Sequence, residues 1–208
     1  MQPPSTRPTK PMTTRATFLK LLTRKLHPVL MAEGFEGTGQ TLRRIEGPVI
    51  HVFNVQGASG GKQCYLNLGA HLDFLPTEGG GQVAPAQIEE SHCVFRDRLD
   101  PPAGEAHGWA YGQSMEEAEE TVDFIVSEWA GPGRGFFATH GNYPQGFVQM
   151  LRETDPARIH ARTALHLARI AVHLGERSIA QALVDTGLAK APERATSLKA
   201  DLEKVLAG

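Results

Sequence analysis

From residue 41 to residue 99 apolar and polar side chains tend to alternate, a period of two that belongs to β-strands. In VIHVFNVQG (49–57), His51, Phe53 and Val55 alternate with Asn54 and Gln56. KQCYLNLGAHLDF (62–74) sets Cys64, Leu66 and Leu68 against Tyr65, Asn67 and His71. In HCVFRDRL (92–99), Cys93, Phe95 and Leu99 oppose His92, Arg96 and Arg98, while Asp97 falls on the apolar side and marks a twist, a bulge or an edge. A further run, TLRRIEG (41–47), is parted from 49–57 by little more than Gly47-Pro48, and ASGG (58–61) reads as the next hairpin loop. Strands joined by turns this short cannot be parallel. The pattern predicts an antiparallel meander of about four strands, which needs a helical cover on one face.

Around this segment the period lengthens to that of a helix. In TTRATFLKLLTRKLHPVLMAEGF (13–35), Phe18, Leu22, Leu26, Val29 and Leu30 form one stripe, Thr13 or Thr14 can cap the start, and Gly34 ends the last turn. Pro28 predicts a kink or a break. MEEAEETVDFIVSEWAG (115–131) carries Val122, Ile125, Val126 and Trp129 on one side, with Ser114 as cap and Glu117 at the capping-box position. It carries six acids and no base; four of them, Glu116, Glu117, Glu119 and Glu120, sit in the first turns where the dipole favours them, and they read as a solvated face. PGRGFFATHGNYPQGF (132–147) is punctuated by Gly and Pro and reads as loop; the Gly131-Pro-Gly-Arg-Gly135 stretch lacks the strand and helix that would make it a phosphate nest. Beyond it, Asp155-Pro156 suggests a cap, followed by Ile159, Thr163, Leu167, Ile170 and Leu174 at helical spacing and two shorter helices. The expected organisation is a disordered, proline-rich lead-in over 1–13, an α+β domain over 14–150, and a helical C-terminal packet over 151–208 packed on the first.

Composition narrows the function classes. The 208 residues carry a net charge of −2 at a pI near 6.5, so no long-range field draws the chain to nucleic acid or an anionic membrane. No apolar run approaches ~20 residues, and MQPPSTRPTKP is not followed by the apolar stretch of a signal peptide. A cytoplasmic protein with two reduced cysteines is the expectation.

The candidate chemistry starts from His92, Cys93 and His107. No paired Cys/His spacing of the kind zinc requires occurs, and His92 and Cys93 point to opposite faces of a strand. Cys64 and Cys93 fall in the apolar register and read as buried packing groups. Neither a metal nor a cofactor is expected. There is no dinucleotide or phosphate-loop fingerprint, no nucleophile elbow and no zinc-protease motif. What remains is the polar side of the sheet, where alternation gathers Gln56, Tyr65, Asn67, His71, His92, Arg96 and Arg98. Amides, a phenol and two guanidinium groups can recognise an anionic or amide-bearing partner by directed hydrogen bonds, although a solvated face shows the same alternation.

The order of these segments resembles a bacterial family known as domain of unknown function 4304. The resemblance rests on FLKLLTRKLHPVLMAEGFEGTGQTLRRIEGPVIHVFNVQ, YLNLGAHL, HCVFRDRL and GWAYG followed by the acidic helix, over about residues 15–131. The matching positions are Gly34, Phe35, Arg43, Gln56, Asn67, Gly69, His92, Cys93, Arg96 and Arg98, with His92-Cys93 in reversed order relative to the family pattern. The resemblance brings no activity; it implies a small α+β protein, some of whose relatives resemble members of toxin-immunity neighbourhoods.

The resulting expectation is a non-enzymatic, immunity-like binding protein whose polar sheet face takes a protein partner or a small anionic ligand. The alternative is a hydrolase or transferase acting on a small anionic substrate, with His71 or His92 beside an arginine. The polar face offers no carboxylate to orient such an imidazole, which weighs against catalysis. An RNA-binding sheet needs several surface aromatics to stack bases, and Tyr65 alone qualifies.

Overall fold

A computed structural model describes residues 13–102 and 107–207. All but the last residue of the 1–13 lead-in therefore lie outside the described part. Four strands, β1 (Thr41–Glu46), β2 (Val49–Gly57), β3 (Gln63–Leu72) and β4 (Phe95–Leu99), form an open antiparallel meander in that order. A two-residue strand, β5 (Trp109–Ala110), pairs antiparallel with β3, Gln63 opposite Ala110 and Cys64 opposite Trp109. Two residues are too few to show a period, so this strand was not legible in the sequence. The predicted α+β class and the C-terminal helical appendage are both present.

The chain divides into two compact units, and each of the four longer strands contributes to both. The first comprises the residues up to Arg44, Val52–Leu68 and Asp97–Arg134. Its helices are α1 (Arg15–Ala32) and α2 (Met115–Glu128), which pack together. Thr14 caps α1 by accepting from the Thr17 amide. At the other end Gly34, at φ 84°, lets the amides of Gly34 and Phe35 reach back to the Met31 and Leu30 carbonyls, a Schellman closure. The break expected at Pro28 does not occur, and α1 runs through it. Pro28 and Arg24 are exposed, so water can satisfy the carbonyl that loses its donor.

Phe18, Leu22 and Leu26 of α1, Val122 and Ile125 of α2, and Phe53, Cys64 and Leu66 of the sheet are all buried. Trp129 meets the rings of Phe35 and Phe53 edge-on, with centroids 6.0 and 5.7 Å away. The acidic face of α2 is partly paired rather than only solvated: Glu119 meets Arg24 at 3.2 Å and Asp123 meets Lys25 at 2.7 Å. The segment after α2 is not a loop, as its glycines suggested. Trp129–Gly133 forms a wide π-type turn leading into α3 (Arg134–Thr139). A side chain at position 133 would come within 2.7 Å of the Trp129 indole, which explains the glycine there.

The second unit comprises Ile45–His51, Gly69–Arg96 and the chain from Gly135 onward. Its helices are α4 (Gln145–Glu153), α5 (Ala161–His173), α6 (Arg177–Lys190) and α7 (Thr196–Lys204). Leu165, Leu167, Ile170, Leu183 and Leu202 pack into one core with Val49, Leu72 and Leu75 from the strand ends. Helix α5 is central and buries residues on nearly every side. Its start differs from expectation: Asp155 accepts from the Ala157 amide in a local turn, and the helix begins at Ala161. That hydrogen bond offers the backbone an alternative to helix at Asp155-Pro156. Helix α4, hidden among the Gly and Pro of its surroundings, was not predicted.

Candidate functional site

In the first unit, four of the predicted site residues meet on one sheet face. Asn54 of β2 donates to the Thr41 hydroxyl of β1 at 2.9 Å. Asn67 of β3, 3% exposed, directs its amide nitrogen to Asn54 Oδ1 at 3.3 Å and Gln56 Oε1 at 3.2 Å. Its oxygen accepts from Arg98 Nε of β4 at 3.1 Å. One polar side chain from each of four strands thus forms a ladder across the sheet, and it ends at a guanidinium.

That guanidinium lies 4.6 Å from the centroid of the Tyr65 ring. Tyr65 is fixed in turn, its hydroxyl accepting from Gln63 Nε2 at 3.2 Å while the same nitrogen also donates to the His107 carbonyl at 2.7 Å. Gly108, at φ 93°, lies against the ring, where a Cβ would come within 2.8 Å. Arg98 itself is exposed, and among the described residues its terminal nitrogens have no acceptor. Stacking and one directed bond hold the side chain, leaving a planar fork open to a carboxylate.

The remaining predicted residues belong to the second unit. His71 is buried at 2% exposure with Nε2 3.2 Å from the Leu75 carbonyl, and its Nδ1 has no partner among the described residues. Burial pulls its pKa down. His92 does not begin the last strand. It closes a short 3₁₀ turn (Glu90–His92), where its Nδ1 accepts from the Glu89 amide at 3.1 Å, so β4 starts only at Phe95. Arg96 is exposed and paired through Nε with Glu90, whose carboxylate raises the arginine's pKa further. Glu90 supplies a carboxylate that strand alternation could not reveal, because it sits in the preceding turn.

The sequence reading also missed Glu78 and His166. His166 on α5 places Nε2 2.7 Å from Glu78 Oε2, and Arg162 reaches the same carboxylate at 3.8 Å. Burial is the dominant influence on His166 and lowers its pKa despite the carboxylate, so the imidazole is the neutral donor of this bond. Nothing in the local sequence announces a pair separated by 88 positions.

Cys64 and Cys93 are fully buried, and neither forms a disulfide among the described residues. Burial pushes the Cys64 thiol up to about 12. A Cβ at Gly69 would lie 2.8 Å from Cys93 Sγ, so the glycine admits the sulfur. Among the described residues, no three His, Cys, Asp or Glu side chains are placed to hold a metal ion. No described helix is long and apolar enough to cross a membrane.

The family model of the domain of unknown function DUF4304 matches residues 26–130. That span holds the whole sheet, all of α2 and the polar ladder, and stops before α3. No curated protein and no solved structure matches the chain.

Proposed function

Because the chain belongs to the DUF4304 family, whose description assigns no chemistry, we propose a function from the site alone: a non-enzymatic binding protein that takes a carboxylate of a protein partner on the Arg98 face. The observation that carries this reading is the immobilised guanidinium, held by Asn67 and stacked on Tyr65 with its outer nitrogens unused by described residues. An arginine ordered before binding gives up less side-chain entropy when the partner arrives. Gln56 and Tyr65 flank it with further hydrogen-bonding capacity. A cytoplasmic setting belongs to this reading and is supported by two cysteines that form no disulfide among the described residues.

A hydrolase or transferase is the weaker reading. Its support is the Glu78–His166 pair, yet that imidazole is only 3% exposed and His71 is equally enclosed.

The test is partner capture with wild-type protein, followed by affinity measurements on Arg98→Ala and Arg98→Lys. The alanine variant should lose about 1–4 kcal/mol of binding while its melting temperature barely moves. Lysine should recover little, since it keeps the charge but lacks the fork. Identical partner sets and affinities for all three proteins would remove this face from consideration.

A further inference from the structure

A groove lies in the first unit, along the flank of α1 facing Gly39, Gln40 and Val55. The groove there has a volume of about 420 Å³. Its floor is apolar, formed by Leu19, Leu22 and Val55. Lys20 and Arg24, four residues apart on the helix, stand at its edge, and His27 lines it one turn further on. From Leu19 to His27 the helix rises about 12 Å, enough for an extended chain of medium length.

His27 makes this more than an apolar depression. Its side chain is buried, at 6% residue exposure, and its ring nitrogens are not among the buried atoms left without a partner, so the imidazole lines the groove as a polar group. Burial also lowers the pKa of His27, which leaves the imidazole neutral with one N–H to donate. The charges point the same way. Lys20 is exposed with no ion-pair partner among the described residues, and Arg24 has only its exposed pair with Glu119, which water weakens. No acid lines the groove.

We propose that this groove binds a small amphipathic carboxylic acid, its apolar body on Leu22 and Val55 and its carboxylate received by Lys20, Arg24 and the His27 N–H. The occupant is a small molecule because the volume falls in the range of roughly 300–1,000 Å³ that small ligands use. It is an anion because the groove edge carries two cations. The site is separate from the Arg98 face, and the two stand or fall independently.

The probe is decanoate, used well below its micelle concentration, with decanol and decylamine as neutral and cationic controls and calorimetry as the readout. Wild-type protein should bind decanoate saturably at one site, decanol at least tenfold more weakly, and decylamine not at all. Lys20→Glu and His27→Phe should each weaken decanoate roughly tenfold, the size of one charge-assisted hydrogen bond. Thr23→Phe, at an exposed helical position lining the groove, should abolish binding while preserving the melting temperature. Arg98→Ala should bind decanoate as wild type does. Absence of saturable binding, equal affinity for decanol, or undiminished binding by Thr23→Phe would each overturn the proposal. So would a concentration-dependent dimer dispersed by Thr23→Phe, which would make a second copy of the chain the occupant.

Discussion

Asn67 shows most directly how a single residue can serve both stability and recognition. Its side chain is the middle of the ladder, giving its nitrogen to Asn54 and Gln56 and its oxygen to Arg98. Asn67→Ala would strand two acceptors and one donor at a largely buried position. The expected cost is about 1–3 kcal/mol in urea unfolding: Gln56 and Arg98 are exposed and can be rehydrated, so the loss is mainly that of three hydrogen bonds at roughly 0.5–1.5 kcal/mol each. Arg98→Ala should cost far less, because the arginine is exposed and the asparagine oxygen it leaves can be hydrated. The double variant should show a coupling of about 0.5–3 kcal/mol, and strict additivity would mean the ladder is not a unit.

At the scale of the element, α1 tests how far packing overrides propensity. A proline deep inside a helix costs about 3 kcal/mol relative to alanine in an isolated context. Yet α1 continues for four more residues past Pro28, ending at Ala32. The buried stripe of Phe18, Leu21, Leu22, Leu26 and Leu30 holds the helix together from both sides of the proline. The position itself faces solvent, so nothing is lost by removing the ring. Pro28→Ala should therefore stabilise the protein by about 1–3 kcal/mol, read as a higher urea midpoint with an unchanged slope. An unchanged or lower midpoint would mean that the pyrrolidine ring makes a packing contribution of its own.

For the whole molecule, the buried imidazoles set how stability depends on pH. His27, His71 and His166 all have folded pKa values below the ordinary 6.5, burial being the first cause in each case. Well above 6.5, folded and unfolded chains both hold them neutral, and they contribute no pH dependence. As the pH falls below 6.5, the unfolded chain takes up protons that the folded chain refuses, so stability declines. The loss is complete only once the pH is below the depressed folded values. Urea midpoints should accordingly drop between about pH 7 and pH 5, and the drop should be shallower in His71→Gln, which has no titrating group there. A flat profile over that interval would contradict the neutral burial of these side chains.

Much of the fold was legible because its signals are local. Period-two alternation and short turns carried β1 to β3 and the antiparallel order; the stripe and caps carried α1 and α2. Gln56, Tyr65, Asn67 and Arg98 could be grouped from the pleat alone, since side chains two apart must share a face. Local competition hid the rest. His92 and Glu89 exchange bonds within a turn that delays β4, and Asp155 diverts the backbone where a helix cap was expected. Other features depend on distance: Glu78 finds His166 across 88 positions, Glu90 reaches Arg96 from outside the strand, and α1 meets the α2 acids through Arg24 and Lys25. By itself the sequence determined the strand and helix periods, the sheet's antiparallel sense and the polar face, because each follows from residues adjacent in the chain. Only the tertiary structure decided which charges are paired, which histidines are shut away from water, and which guanidinium is held with its fork open. Those outcomes depend on contacts and burial created when distant segments pack, and a linear pattern does not encode them.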